Sequence, residues 1–154
     1  MPTHIRHGRS PCPVARSLDV LGDKLTLLII REALSGTTRF MDFSHQLPGL
    51  ARTLLSHRLK RLIALGVFET IPVSQAGHYH EYVLTAMGRE LFPVVAALRQ
   101  WGADYLFGDS EPRPCLVDRR TEMPDAPVGV QFGLWRATRA RRHADRCSWA
   151  RQRR

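Results

Sequence analysis

Between two breaks, Pro48-Gly49 and Gly66, the chain carries a segment whose leucines and polar residues separate when it is wound as a helix. At roughly 100° per residue, as a 3.6-residue turn requires, Leu54, Leu55, Leu59, Leu62 and Leu65 fall on one side. Arg52, Thr53, Ser56, His57 and Lys60 fall on the other. The leucine side needs a core to lie against. The polar side offers hydroxyl, imidazole and cationic groups, the set that donates to phosphates and probes base edges in a major groove, although such residues also make an ordinary solvated face. Arg58 departs from the split by falling beside the leucines, where an arginine persists only if paired; a neighbouring carboxylate or carbonyl is expected to hold it.

The flanking segments give this helix a context. Pro48-Gly49 signals a tight turn, and before it Phe40, Phe43 and Leu47 space a short helix at about Arg39 to Gln46. Further upstream Pro13 suits a first helical turn, with Val14, Leu18 and Leu21 making one buried face that ends at Gly22. Lys24 to Leu34, apolar nearly all round its middle, is expected to be the central core helix and to end at Gly36. After Gly66, two β-rich runs, Val67 to Val73 and His78 to Leu84, enclose a polar turn at Ser74 to Gly77 and read as a hairpin. Thr85 is expected to cap a long helix reaching about Phe107, striped by Leu91, Val94, Val95, Leu98, Trp101 and Tyr105.

Two short helices joined by a turn and followed by a hairpin predict a mainly α fold with a small β-hairpin wing (α+β), a winged helix-turn-helix. The long stripe exceeds what one small domain can cover. Val14, Leu18, Leu91, Val95, Leu98, Trp101 and Tyr105 are therefore expected to form a homodimer interface through the terminal helices. The implied organisation is a flexible lead at 1–10, a DNA-binding domain at 11–107, a Pro-rich extension at 108–132 and an Arg-rich tail at 133–154. Short strand-like runs at Cys115 to Asp118 and Val128 to Phe132 fit a minor hairpin in the extension, and the tail fits a basic helix with too little apolar content for its own core.

Charge needs the same division. Net charge is +9, yet the tail holds eight arginines against Asp145 alone, so the rest of the chain is nearly balanced. The basic balance by itself therefore does not make the folded part a nucleic-acid binder. Apolar stretches such as Leu25 to Ile30 are far short of the roughly 20 residues of a membrane span, and Met1 to Ser10 has no apolar signal core. A cytoplasmic protein without a membrane partner is expected. Three cysteines, Cys12, Cys115 and Cys147, lack the spacing of a disulfide framework or a zinc site.

The ordered set Cys12-Pro13-Val14, Gly22 to Leu28, Arg39-Phe40, Leu47-Pro48-Gly49-Leu50, Leu55 to Lys60, Glu81 to Thr85 and Trp101-Gly102 resembles the HxlR-type winged helix-turn-helix regulators, relatives of the MarR group. The resemblance covers about residues 11–107. It implies a homodimeric bacterial transcription factor on double-stranded DNA, with the first and last helices making the dimer and the fourth helix entering the major groove. Three departures stand out. Leu25 takes a position usually held by tryptophan, Ala51 replaces a capping serine at a cost of about 1 kcal/mol, and the wing tip from Gln75 to His80 carries no arginine.

The site residues expected on DNA are Arg52, Thr53, Ser56, His57 and Lys60, with Gln75 and His78 from the wing. Cys12 precedes Pro13 at a helix start, where free N–H groups and the helix dipole favour a thiolate and Arg9 and Arg16 add positive potential. The resemblance implies a sensor of oxidants or electrophiles there, with a small-molecule effector; the alternative is a cysteine that simply packs at the dimer seam. His78 and His80 share a strand face but have no third ligand nearby, so no metal is expected. No phosphate loop, carboxylate pair or nucleophile with a base is present, and neither an enzyme nor a cofactor is expected. The competing function is a winged-helix protein-interaction module without sequence-specific DNA binding. A tail-driven coat on RNA or DNA has only the charge to support it.

Overall fold

The computed structural model describes residues 7–73, 79–108 and 111–112. It divides into two compact units, Met1–Phe92 and Pro93–Arg154. Four helices open the first unit: α1 (Pro13–Leu21), α2 (Lys24–Leu34), α3 (Phe40–Gln46) and α4 (Arg52–Ala64). A hairpin of β1 (Phe68–Pro72) and β2 (His80–Leu84) and the single turn α5 (Ala86–Arg89) follow. The second unit's described part is essentially α6 (Phe92–Tyr105). No helix among the described residues is long and apolar enough to cross a membrane. The turn at Ser74 to Gly77, the strand-like runs of the extension, Cys115, Cys147 and the Arg-rich tail lie outside the described residues.

The helix ends follow from backbone chemistry. Asp23 caps α2 by accepting the Leu25 N–H on Oδ1 at 2.8 Å, satisfying one of the orphan donors every helix start leaves. Both α2 and α4 finish in paired reverse bonds beyond the last turn. Gly36 N–H donates to Ala33 and Thr37 N–H to Glu32; Gly66 N–H donates to Ile63 and Val67 N–H to Leu62. Gly36 and Gly66 sit at φ 103° and 74°, the left-handed step such a cap requires.

The core of the first unit is built by Ile29 and Ile30 of α2, Phe43 of α3, Leu55, Leu59 and Leu62 of α4, and Val67, Phe68 and Leu84 of the hairpin region, all buried. Phe43 meets Phe68 edge-on at 6.4 Å between ring centres, a geometry the ring quadrupoles favour. The hairpin is antiparallel with Phe68 opposite Leu84 and Pro72 opposite His80, so its core-facing row begins at the end nearest α4. A third chain segment touches its outer edge, where the Tyr82 N–H donates to the Thr38 carbonyl at 2.8 Å.

Two expectations need correction. The long helix predicted from Thr85 to Phe107 is two helices, because Pro93 lacks an N–H and its ring would strike the carbonyl four residues back, at Arg89. Thr85 does cap, accepting the Gly88 N–H at 3.1 Å, but it caps only α5. Leu91 therefore lies in the break and not on the α6 stripe. The apolar face of α1 buries none of its residues; Val14 is 67% and Leu18 52% exposed. The described end of the N-terminal lead is held, with the His7 N–H on Asp19 Oδ2 at 2.7 Å.

Candidate nucleic-acid interface

The turn into α4 sets where the candidate reading helix begins. Leu50 N–H donates to the Leu47 carbonyl at 3.2 Å, and Gly49 holds φ 87°, which with Pro48 before it makes a type II turn. Ala51 occupies the N-cap with no side-chain bond. The first-turn N–H groups of α4 thus keep their positive end of the helix dipole uncovered by any cap.

Beyond the turn, Leu55, Leu59 and Leu62 are buried, while Arg52, Thr53, His57 and Lys60 are exposed and Ser56 is half-buried. None of the four exposed side chains is bonded to another described residue. Helix α4 contains no carboxylate, so this face is cationic and rich in donors.

Leu54 and Leu65 do not join the buried row: they are 36% and 39% exposed. Each lies roughly a quarter turn from the centre of that row by the 100° step, on a flank that also carries Arg58 and Arg61. Leu54 lines an open groove of about 450 Å³ with Lys24, Leu25, Leu28, Gln46 and Leu50, a feature the wheel alone could not reveal.

The flank explains Arg58. Its Nη2 pairs with Asp23 Oδ2, and both side chains are mostly buried, while its Nε has no hydrogen-bond partner among the described residues. One carboxylate thus caps α2 with Oδ1 and anchors α4 with Oδ2. Arg61, not singled out in the sequence, donates from Nη2 to the Asp19 main-chain oxygen at 2.5 Å.

Gln75 and His78, expected on DNA, lie outside the described residues. His80 is exposed at the far end of β2. Among the described residues no three His, Cys, Asp or Glu side chains cluster as a metal site would need. Ile71, Val73 and Tyr79 are exposed on the wing, on the strand face that also carries Glu69 and Glu81; Arg39 at the start of α3 pairs with Glu81 at 3.4 Å.

Cys12 is an exposed free thiol at the N-cap of α1. Its N–H donates to Ser10 Oγ at 3.2 Å, and Arg16 Nε donates to the Ser10 carbonyl at 2.5 Å. On α6, Val95 is half-buried, and Leu98, Trp101 and Tyr105 are 49%, 55% and 73% exposed. The Trp101 and Tyr105 rings lie 5.9 Å apart between centres, tilted by 39°.

The profile of HxlR-like helix-turn-helix proteins matches residues 20–110. An HTH-type transcriptional regulator of Mycobacterium tuberculosis, MT3179, is 45% identical over 101 residues, 66% of this chain and 60% of the relative. The chain thus spans about 60% of the length of that relative. The crystal structure of PA1607, assigned as a transcription factor, superposes with a TM-score of 0.76 at 44% identity over 82% of this chain and 88% of that one. The reduced form of the redox regulator HypR gives 0.56 at 31% identity over 60% and 92%.

Proposed function

The chain belongs to the HxlR-like helix-turn-helix family, and from that premise we propose that it is a transcriptional regulator, not an enzyme, that binds double-stranded DNA in the bacterial cytoplasm as a homodimer. The observation that carries the reading is the cationic, carboxylate-free exposed surface of α4, with Thr53, His57 and Lys60 opposite the buried Leu55, Leu59 and Leu62 and Arg52 exposed in the first turn. Arg52 and Lys60 hold phosphates, and Thr53, Ser56 and His57 reach base edges; Gln75 and His78 contact DNA from the wing.

Replacing Ser56 and His57 with alanine narrows the gap between operator and scrambled duplex by about 1–3 kcal/mol for each side chain that no longer reaches a base. Removing residues 133–154 instead weakens both duplexes alike and flattens the salt dependence, because tail arginines act through counterion release. Competition titrations at several salt concentrations separate the two. If truncation erases discrimination and the alanines leave it intact, the reading face is wrong and a protein-interaction module takes its place.

The apolar side chains of Val14, Leu18, Val95, Leu98, Trp101 and Tyr105, with Leu91, form the subunit interface in this reading, so Trp101→Glu converts a dimer into a monomer. Molar mass by light scattering checks it; a wild-type monomer at micromolar concentration removes the two half-sites, whose centres a dimer sets about 34–36 Å apart.

The third element of the reading is Cys12 as a responder to oxidants or electrophiles, supported by its exposure at a helix start and by the likeness to a redox regulator. Operator affinity then shifts on treatment with a quinone or peroxide, and Cys12→Ser abolishes the shift. An unchanged response in Cys12→Ser discards the sensor.

A further inference from the structure

Arg58 and Arg61 stand one turn apart on the flank of α4 between the exposed reading face and the buried leucines, and both reach the same corner of the chain. That corner is Gly22, where α1 gives way to α2, bracketed by Asp19 and Asp23. Asp19 lies in the last turn of α1, whose final carbonyls have no partner within the helix. The Arg61 guanidinium supplies one to the Asp19 oxygen at 2.5 Å and brings a positive charge to the negative end of the α1 dipole. Arg58 pairs with the carboxylate that caps the start of α2. Arg58 and Arg61 therefore each close the terminus of a different helix.

Attachment at two points does something the leucines cannot. Burial of Leu55, Leu59 and Leu62 holds α4 in place, but apolar contact is non-directional and tolerates a few degrees of roll. Two bonds on one flank, about 4.5 Å apart along the axis at 1.5 Å per residue, fix that roll. The requirement is geometric: at a radius of about 5–6 Å, a roll of about 10° carries a side-chain tip about 1 Å, enough to spoil hydrogen bonds whose useful range spans about 0.5 Å.

We propose that Arg61 is a positioning residue for base recognition, setting the roll of α4 through the Asp19 carbonyl without touching DNA itself. The inference rests on the DNA-reading function proposed above. Because Asp19 also holds the His7 N–H on its carboxylate, the segment leading to Cys12 and the roll of the reading helix meet at one residue.

The test uses the full-length protein, an operator selected by the wild type from random duplexes, and a scrambled control. Arg61→Met keeps the apolar stem and removes the donor; Arg61→Lys restores a donor that reaches the same carbonyl. Arg61→Met is expected to lower the ratio of operator to scrambled affinity about tenfold, with the scrambled affinity and its salt slope unchanged, and Arg61→Lys to recover most of the ratio. A purely structural role would lower the active fraction equally on both duplexes and leave the ratio alone. The proposal is overturned by an unchanged ratio, by equal losses with a salt slope shallower by about one, which marks a phosphate contact, or by failure of Arg61→Lys to restore discrimination. A wild type that selects no operator defeats the DNA-reading function itself and is seen before any variant is made.

Discussion

Gly88→Ala is expected to lower the unfolding free energy of the protein by about 3 kcal/mol, at the upper end of what overpacking costs. Elsewhere in a helix, exchanging glycine for alanine gains about 1 kcal/mol. Here the sign reverses because Gly88 is buried in α5 with the Val67 carbonyl oxygen well inside contact distance of any added Cβ, and Leu84 Cδ2 only 2.9 Å away. The oxygen cannot retreat. It accepts the Thr85 N–H at 3.1 Å, while the Thr85 hydroxyl donates to the Gly66 carbonyl at 2.6 Å. For a domain of this size the loss corresponds to a drop in Tm of about 10–20 °C. Urea unfolding of both proteins measures it, and a neutral or stabilised variant would show that α5 does not lie against the exit of α4 as described.

The second large effect concerns the Arg58–Asp23 pair. Arg58→Ala leaves a mostly buried carboxylate without its cation, and removing one member of such a pair costs about 3 kcal/mol. Asp23→Ala loses the pair and also the α2 cap, adding about 1 kcal/mol. The double variant should lose clearly less than the two singles together, because once either partner is gone the other has little left to forfeit. Strict additivity in denaturant midpoints would mean the two side chains do not interact.

Much of this was readable in the order of residues. The first four helices announce their ends, because Pro13, Gly22, Gly36, Pro48-Gly49 and Gly66 are residues whose backbone preferences permit little else. Arg58 was legible for a different reason: a charge among leucines must be paired. The wheel erred at Leu54 and Leu65 because it divides a helix into halves, whereas a small domain buries a narrower stripe and leaves flanks for other contacts. The break before α6 was missed because apolar spacing runs smoothly through Leu91 and Val94, and periodicity is blind to the missing N–H of Pro93. Arg61 could not have been found by pattern. Its acceptor is a main-chain oxygen in the last turn of α1, and any residue at position 19 would present the same atom.

Pro72 gives the wing a property that bears on solubility. Val73 N–H bonds across the hairpin to Tyr79, so by the alternation of an antiparallel ladder the backbone nitrogens of residues 68, 70 and 72 point away from β2, along the outer margin of β1. Such a margin is a template on which a strand from another molecule can grow into a fibre. With proline at 72 the template is one donor short close to its tip, beside the exposed Ile71 and Val73 that would otherwise reward stacking. Proline at 72 therefore guards the hairpin against polymerising while leaving Ile71 and Val73 exposed beside it.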